Sequence, residues 1–287
     1  MDWVALGLGL AFAFMWSSAF TSARIIVAEA PPILSLALRF AISGALAVGI
    51  ALALGQSLRL TGSQWALTIV FGLCQNAIYL GLNFVAMQTV PASVAAIIAS
   101  TMPLIVALLS WAVLKQHLSG LGWVGLGAGF AGVALILGIR MTDSFDVFGL
   151  VLCGIGVAAL SVATLVMRGT SSGDNLLMIV GLQMWVGAVT LLFIGLPLET
   201  WDVTWTPRLV AALTYTTLIP GLAATFVWFQ LVHRIGAIRA ATFHFLNPVF
   251  GVAVAWALLS EPLGPLDAVG VAVTTAGILM VQLARSS

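Results

Sequence analysis

The chain alternates apolar runs of about 20 residues with connections of two to about eleven residues, where Gly, Pro and charged side chains collect. Ten runs are legible, at about 3–23, 33–54, 63–88, 91–114, 120–139, 147–167, 174–196, 207–232, 237–260 and 265–284. A helix needs roughly 20 apolar residues to cross the ~30 Å hydrocarbon core. Lipid tolerates only backbones that satisfy themselves, as helices or closed barrels, and the runs lack a barrel's period-two alternation. The pattern therefore predicts an all-α membrane protein of ten transmembrane helices, with no room for a soluble domain. The first run opens on Asp2 rather than a basic segment and continues to about Ala23, so it reads as a span and not a signal peptide.

The second half of the chain repeats the first. At an offset of 145, Pro103 meets Pro248, Trp111 meets Trp256, and Ala92, Ala95, Ala96, Ala112, Leu114, Leu118, Val124, Gly125 and Gly132 meet their own residue type. Ala and Leu matches carry little in so apolar a chain, where roughly a tenth of positions agree by chance. The rarer prolines and tryptophans carry the inference. A shift of 144 aligns Ser17, Ala19 and Arg24 with Ser161, Ala163 and Arg168, and sets Arg39 opposite Gln183. The repeats are placed at 1–140 and 145–287, five helices each. An odd number of spans turns the second copy upside down, the architecture of alternating-access transporters.

Composition sharpens this picture. The chain is 62% hydrophobic and 7% charged, against roughly 25% charged in soluble domains. A net charge of +1 without a basic cluster leaves no footprint for nucleic acid. Cys74 and Cys153 sit in apolar runs without metal-type spacing and read as buried and inert. Arg59, Lys115, Arg168, Arg234, Arg239 and Arg285 fall on the side of the termini, against Arg24, Arg140 and Arg208 opposite, with Arg39 near them; this places both termini in the cytoplasm. The opposite face carries Glu29, Asp143, Asp146, Glu199, Asp202, Glu261 and Asp267. No paired intramembrane carboxylates, HExxH, Ser/His/Asp set or metal cluster is present, so no enzyme and no cofactor is expected. A channel or structural bundle would not need inverted repeats with paired prolines.

Several residues stand out for a solute path. Pro103 and Pro248 fall mid-helix, where proline frees a carbonyl four residues back, Ala99 and His244 respectively. They are either static kinks or a pair of hinges that bend in turn. Asn76, Tyr79, Asn83 and Met87 form one helical stripe facing the interior, since polar groups facing lipid are costly. The stripe either bonds helices together or lines a substrate wall, with Tyr79 and Asn83 as the wall residues. Trp3, Trp65, Trp123, Trp201 and Trp205 fit the interfacial belt, and Trp111 and Trp256 fit belt or packing. Trp16, Trp185 and Trp228 lie deeper, and Trp16 and Trp228 suit packing around an aromatic or apolar solute. His244 is the one histidine at membrane depth, either a satisfied core residue or a group that meets substrate or titrates. Arg39 is expected to snorkel to the outer interface, or else to meet a substrate carboxylate on the way out. The absence of buried Lys or Arg then argues against nucleotide sugars and phosphorylated solutes. The fifth run is dense in glycine, including Gly125 and Gly129, for close helix approach.

Trp16-Ser-Ser-Ala-Phe, Leu38-Arg39-Phe40, Val90-Pro91-Ala92-Ser93, Arg234-Ile-Gly-Ala-Ile-Arg239-Ala, Asn247-Pro248 and Glu261, in this order, resemble EamA-type members of the drug/metabolite transporter superfamily. Among its branches the chain looks most like the aromatic amino acid exporters (YddG-like). The resemblance implies ten helices in two inverted repeats, a central cavity, and outward transport of amino acids, aromatic ones included; the alternative is a broader drug or metabolite exporter, proton-coupled through His244. Four-helix relatives pair two chains through the helix corresponding to the glycine-rich one; here the duplication can supply that pairing, so a monomer is expected. Some small relatives use a first-helix glutamate for proton exchange, and Phe12 to Phe20 holds no acid. The substrate-binding set expected is Trp16, Ser17, Tyr79, Asn83, Ser100, Trp228 and His244, with Pro103 and Pro248 as hinges. The partners expected are a small-molecule substrate and the lipid bilayer of the inner membrane.

Overall fold

The structure, a computed structural model, describes residues 2–140, 146–166, 175–235, 240 and 242–286. Its helices are α1 (Trp3–Glu29), α2 (Pro32–Ala53), α3 (Gly62–Ala86), α4 (Ala92–Ala112) and α5 (Gly120–Arg140), then α6 (Val147–Val166), α7 (Leu176–Leu198), α8 (Pro207–Ile235), α9 (Thr242–Leu259) and α10 (Pro265–Ser286). Nine of these are long and apolar enough to span a membrane. The exception is α9, whose apolar stretch among the described residues, Phe243–Leu259, is shorter; the preceding residues 236–239 and 241 lie outside the described residues. Helix α1 departs from its expected end at Ala23. It runs on to Glu29 because no breaker intervenes before Pro31, and Arg24 turns inward to donate to the carbonyl of Met87. Cys153 is buried as expected, whereas Cys74 is only half-buried.

The helices sort into two compact units. One comprises Met1–Ser22, Thr89–Leu150 and Ala223–Ser287; the other comprises Ala23–Gln88 and Val151–Leu222.

In the first unit, α5 and α10 pack backbone to backbone. A Cβ on Gly125 would lie 2.8 Å from the carbonyl of Gly277, one on Gly132 would lie 2.6 Å from Thr274 N, and one on Gly270 would meet Ile136 at 2.3 Å. Numbers rising along α5 meet numbers falling along α10, so the two are antiparallel. The glycine-rich fifth helix thus finds its close neighbour within the chain. Helices α4 and α9 are tied by a side-chain cap. Glu261, just past α9, accepts from Ala92 N at 2.7 Å and Ser93 N at 3.1 Å, and from the Ser93 hydroxyl, at the start of α4. A carboxylate there offsets the unsatisfied N–H groups and dipole of the helix, worth up to about 2 kcal/mol. Outside the spans, Arg234 pairs with Asp2 at 2.6 Å and holds its carboxyl below the usual carboxylate range.

In the second unit, α2 and α7 are joined by reciprocal caps. Glu199, after α7, accepts from Ile33 N at 3.0 Å and Leu34 N at 2.9 Å at the start of α2. Gln56, after α2, accepts from Met178 N at 2.9 Å at the start of α7. Midway, the backbones meet at Gly44 and Gly181. Helices two and seven, and five and ten, occupy the same place in their repeats and run antiparallel. The repeats are therefore inverted.

Candidate functional site

Four helices are broken, in register between the repeats. Helix α4 stops at Ser100 and restarts at Met102, and α9 changes from a 3₁₀ turn (Thr242–Leu246) to α-helix at Asn247. The breaks fall at Thr101 and Leu246, 145 residues apart. Each proline then sits in the first turn of the new segment, where its missing N–H costs nothing. Before Pro103 the bonding tightens, Thr101 N donating to Ile98 O at 3.0 Å. Pro103 and Pro248 therefore restart helices rather than kink continuous ones. Helices α3 and α8 contain π-helical stretches, Gly72–Leu80 and Thr217–Ala223, which also begin 145 residues apart. In α8 the cause is Pro220, which cannot donate to Thr216 and widens the turn. π-turns of this kind collect at functional sites.

In the first unit, four aromatic rings meet where α1, α8 and α9 converge. Phe12 is the hub, with ring centroids 4.7 Å from Trp228, 5.8 Å from Trp16 and 5.2 Å, edge-on, from His244. His244 is 5.4 Å from Trp228 and 6.5 Å from Trp16. Its Nδ1 lies 3.0 Å from the Asn247 amide, so with Nδ1 as acceptor the ring N–H is on Nε2. Phe12 is buried, whereas Trp16, Trp228 and His244 are half-buried and keep ring surface available. Ser17 is buried one residue past Trp16; its hydroxyl and that of Thr21 have no partner among the described residues. The cluster offers flat apolar faces and an imidazole, a chemistry suited to an aromatic or aliphatic solute with a polar end.

The other expected residues fall elsewhere. Ser100 is buried and donates to Ala96 O at 2.6 Å, closing the last turn before the α4 break. Tyr79 and Asn83 lie in the second unit, fully buried with Asn76 and Met87, so the stripe faces inward as expected. Its bonds are structural. Asn76 Nδ2 donates to Gln183 O on α7 at 3.0 Å, and Asn83 Nδ2 donates to Tyr79 O at 2.8 Å. A Cβ on Gly156 would sit 2.9 Å from Asn83 Nδ2, so α6 packs directly on this pair.

Trp185 lies well inside α7, as its depth in the span implies, and is 44% exposed where it covers Gly44. One expectation is corrected. Arg39 does not snorkel. It is 6% exposed, its Nε donates to Thr216 O at 3.2 Å, and its guanidinium lies 5.0 Å from the Phe40 ring centroid. Thr216 O, which Pro220 cannot serve as an i+4 donor, accepts from the arginine, and the argument from an absence of buried basic residues falls with it. Arg140, Asp143, Arg168, His233, Arg239 and Arg285 have side chains outside the described residues. Phe12 escaped the sequence reading because one Phe among many apolar residues carries no signal, and the π-turns escaped because they leave the apolar pattern intact.

Inverted five-helix repeats with breaks in register are the architecture of a multi-pass membrane transporter. The EamA-like transporter family matches the chain twice, over residues 3–138 and 147–283, and the chain belongs to that family. It is 28% identical to the uncharacterized transporter YvbV of Bacillus subtilis over 87% of this chain and 82% of that one. It is 26% identical to protein PecM of Dickeya dadantii, over 83% and 80%. It is 25% identical to the uncharacterized inner membrane transporter YedA of Escherichia coli K12, over 97% and 90%. A solved crystal structure covers 98% of both chains with a TM-score of 0.71 at 22% identity, a likeness of fold.

Proposed function

We propose that the protein exports small neutral or zwitterionic metabolites, amino acids including aromatic ones, in the manner of the YddG-like exporters. The observation that carries this reading is the ring cluster of Phe12, Trp16, Trp228 and His244. The repeats at 1–140 and 145–287 supply the two halves of an alternating-access cycle, and the restarts at Pro103 and Pro248 are its hinges. Within the second unit Tyr79 and Asn83 are substrate-wall residues, and within the first unit Ser100 supports the α4 hinge. The working form is a monomer, since the α5 glycine face is already used within the chain, and both termini face the cytoplasm of an inner-membrane protein. Transport runs down the substrate's own gradient, because the described acids stand at helix ends or in connections, where proton carriers are not held in a low-dielectric path. The second reading, a broader drug or metabolite exporter coupled to protons through His244, has that residue's half-buried place among the rings in its favour.

The substrate class is tested by competition in proteoliposomes. Uptake of labelled L-phenylalanine is expected to be inhibited by tryptophan, tyrosine and leucine, and weakly or not at all by aspartate, lysine and hydrophobic cationic drugs. Strong inhibition by the drugs with none by the amino acids would replace this reading with the second.

A further inference from the structure

Arg39 presents a problem of charge. Its position on α2, seven residues past Pro32, is roughly 10 Å into the span at 1.5 Å per residue. A guanidinium carries five N–H donors and keeps its charge. Its Nε donates to Thr216 O, and among the described residues no carboxylate pairs with it. In the same unit, Glu29 is bonded to the Thr206 hydroxyl and Glu199 is spent on the start of α2. The ring of Phe40 compensates only in part. A buried cation without a counterion is costly, and within membranes such a residue marks a path for a charged partner.

Gly221, in the π-turn of α8, lies close beside it; a Cβ there would lie 3.1 Å from Thr216 O, 3.3 Å from Ser43 Oγ and 3.7 Å from Arg39 Nη2. Ser43, one turn after Arg39, donates to Thr217 O at 3.4 Å, a long bond that can be exchanged for a better acceptor. The result is a cradle with a fixed positive charge, a hydroxyl and a glycine, bounded by α2 and the widened turn of α8. A planar anion with two oxygens fits the fork of the guanidinium. The repeat mate of Arg39 is Gln183, whose backbone carbonyl is held by Asn76 in the π-turn of α3. The mate is uncharged, so the charged cradle is particular to this side of the fold.

The geometry points to a carboxylate-binding subsite formed by Arg39 with Ser43 and Gly221, which holds the carboxylate of the transported solute during its passage. This rests on the amino acid reading for the identity of the solute, but the subsite itself is set by the unpaired cation.

The full-length protein, purified and also reconstituted in phosphatidylcholine vesicles that offer no anionic lipid, separates the two claims. The probes are L-phenylalanine, 3-phenylpropionate, which keeps only the carboxylate, and L-phenylalaninamide, which lacks it. Thermal stabilisation of the purified protein reports binding, and counterflow reports transport. Both carboxylates are expected to bind the wild type. Arg39→Gln should raise their half-saturating concentrations by about 10- to 100-fold, the loss of a charge-assisted hydrogen bond, and Arg39→Lys by less. The response to phenylalaninamide should move less than about threefold, which a merely structural role for Arg39 would not allow. Equal carboxylate responses in wild type and Arg39→Gln, or no response of the wild type to either carboxylate, would overturn the subsite. A wild type that binds 3-phenylpropionate through Arg39 but not phenylalanine would keep the subsite and remove the amino acid reading. Should Arg39→Gln not purify as a single species, Gly221→Ala decides. It keeps the cation and fills the cradle, and an unchanged carboxylate response there overturns the proposal.

Discussion

Replacing Gly277 with valine is expected to abolish accumulation of folded protein, and Gly277→Ala to lower its melting temperature sharply. A Cβ at 277 would lie 2.3 Å from Gly129 N, 2.6 Å from Gly129 Cα and 2.7 Å from Gly125 O. All three atoms are backbone, so no side-chain rotation relieves the clash and the helices must separate along the whole α5/α10 seam. Overpacking a core costs about 1–3 kcal/mol where side chains can yield; here nothing yields, and the cost of the valine lies above that range. Gly127→Ala is the control, because a Cβ there meets nothing within 4 Å. It should leave stability unchanged or raise it by about 0.5–1 kcal/mol, since alanine is the better helix former. Thermal unfolding of the detergent-purified variants reads both effects. A Gly277→Val protein as stable as the Gly127→Ala control would remove the seam from the account.

Trp16→Ala and Trp228→Ala are each expected to lower transport of aromatic amino acids by about tenfold while leaving membrane expression intact. Removing either ring strips one wall of the cluster around Phe12 and His244, with ring contacts worth about 0.5–1.5 kcal/mol apiece beyond the area they bury. Because both indoles are half-buried, their loss leaves a wider opening rather than a sealed void, which spares the fold. Tyr79→Ala is expected to lower transport as well, but with a loss of stability, since Tyr79 is fully buried against α6. Trp3→Ala, 71% exposed at the start of α1, should behave as wild type. Initial rates of labelled phenylalanine efflux, divided by expression, distinguish the cases. Equal losses in Trp3→Ala and in the two deep variants would make the cluster ordinary packing.

The spans were legible because burial in lipid selects on composition alone, and ten apolar runs leave few alternatives. Inversion was legible in the paired prolines and tryptophans, and the structure expresses it through contacts those residues do not make: the Gly125–Gly277 seam and the exchange of Glu199 and Gln56 caps. As loop acids, Glu199 and Glu261 gave no sign of reaching another helix's first turn, because that reach depends on packing of distant segments. The end of α1 was misplaced for a related reason. Arg24 resembles a terminus until Met87 supplies it with a carbonyl. The site was legible in part. Trp16, Trp228 and His244 converge, but Phe12, which joins them, looks like any other apolar position, and Tyr79 and Asn83 belong to a separate unit. Arg39 was misjudged because snorkelling is the default for a long cation near a span end. What reverses it is the carbonyl of Thr216, in the turn that Pro220 widens, which accepts from Arg39.

Counterflow reads the proposed alternating access without obligatory ion coupling. Proteoliposomes loaded with unlabelled L-phenylalanine and diluted into trace labelled phenylalanine, with no ion gradient, should accumulate label transiently above equilibrium. An imposed pH gradient should leave the size of that overshoot unchanged, and His244→Ala should not abolish it. An overshoot that appears only with the proton gradient and disappears in His244→Ala would contradict the account and make that histidine the coupling site.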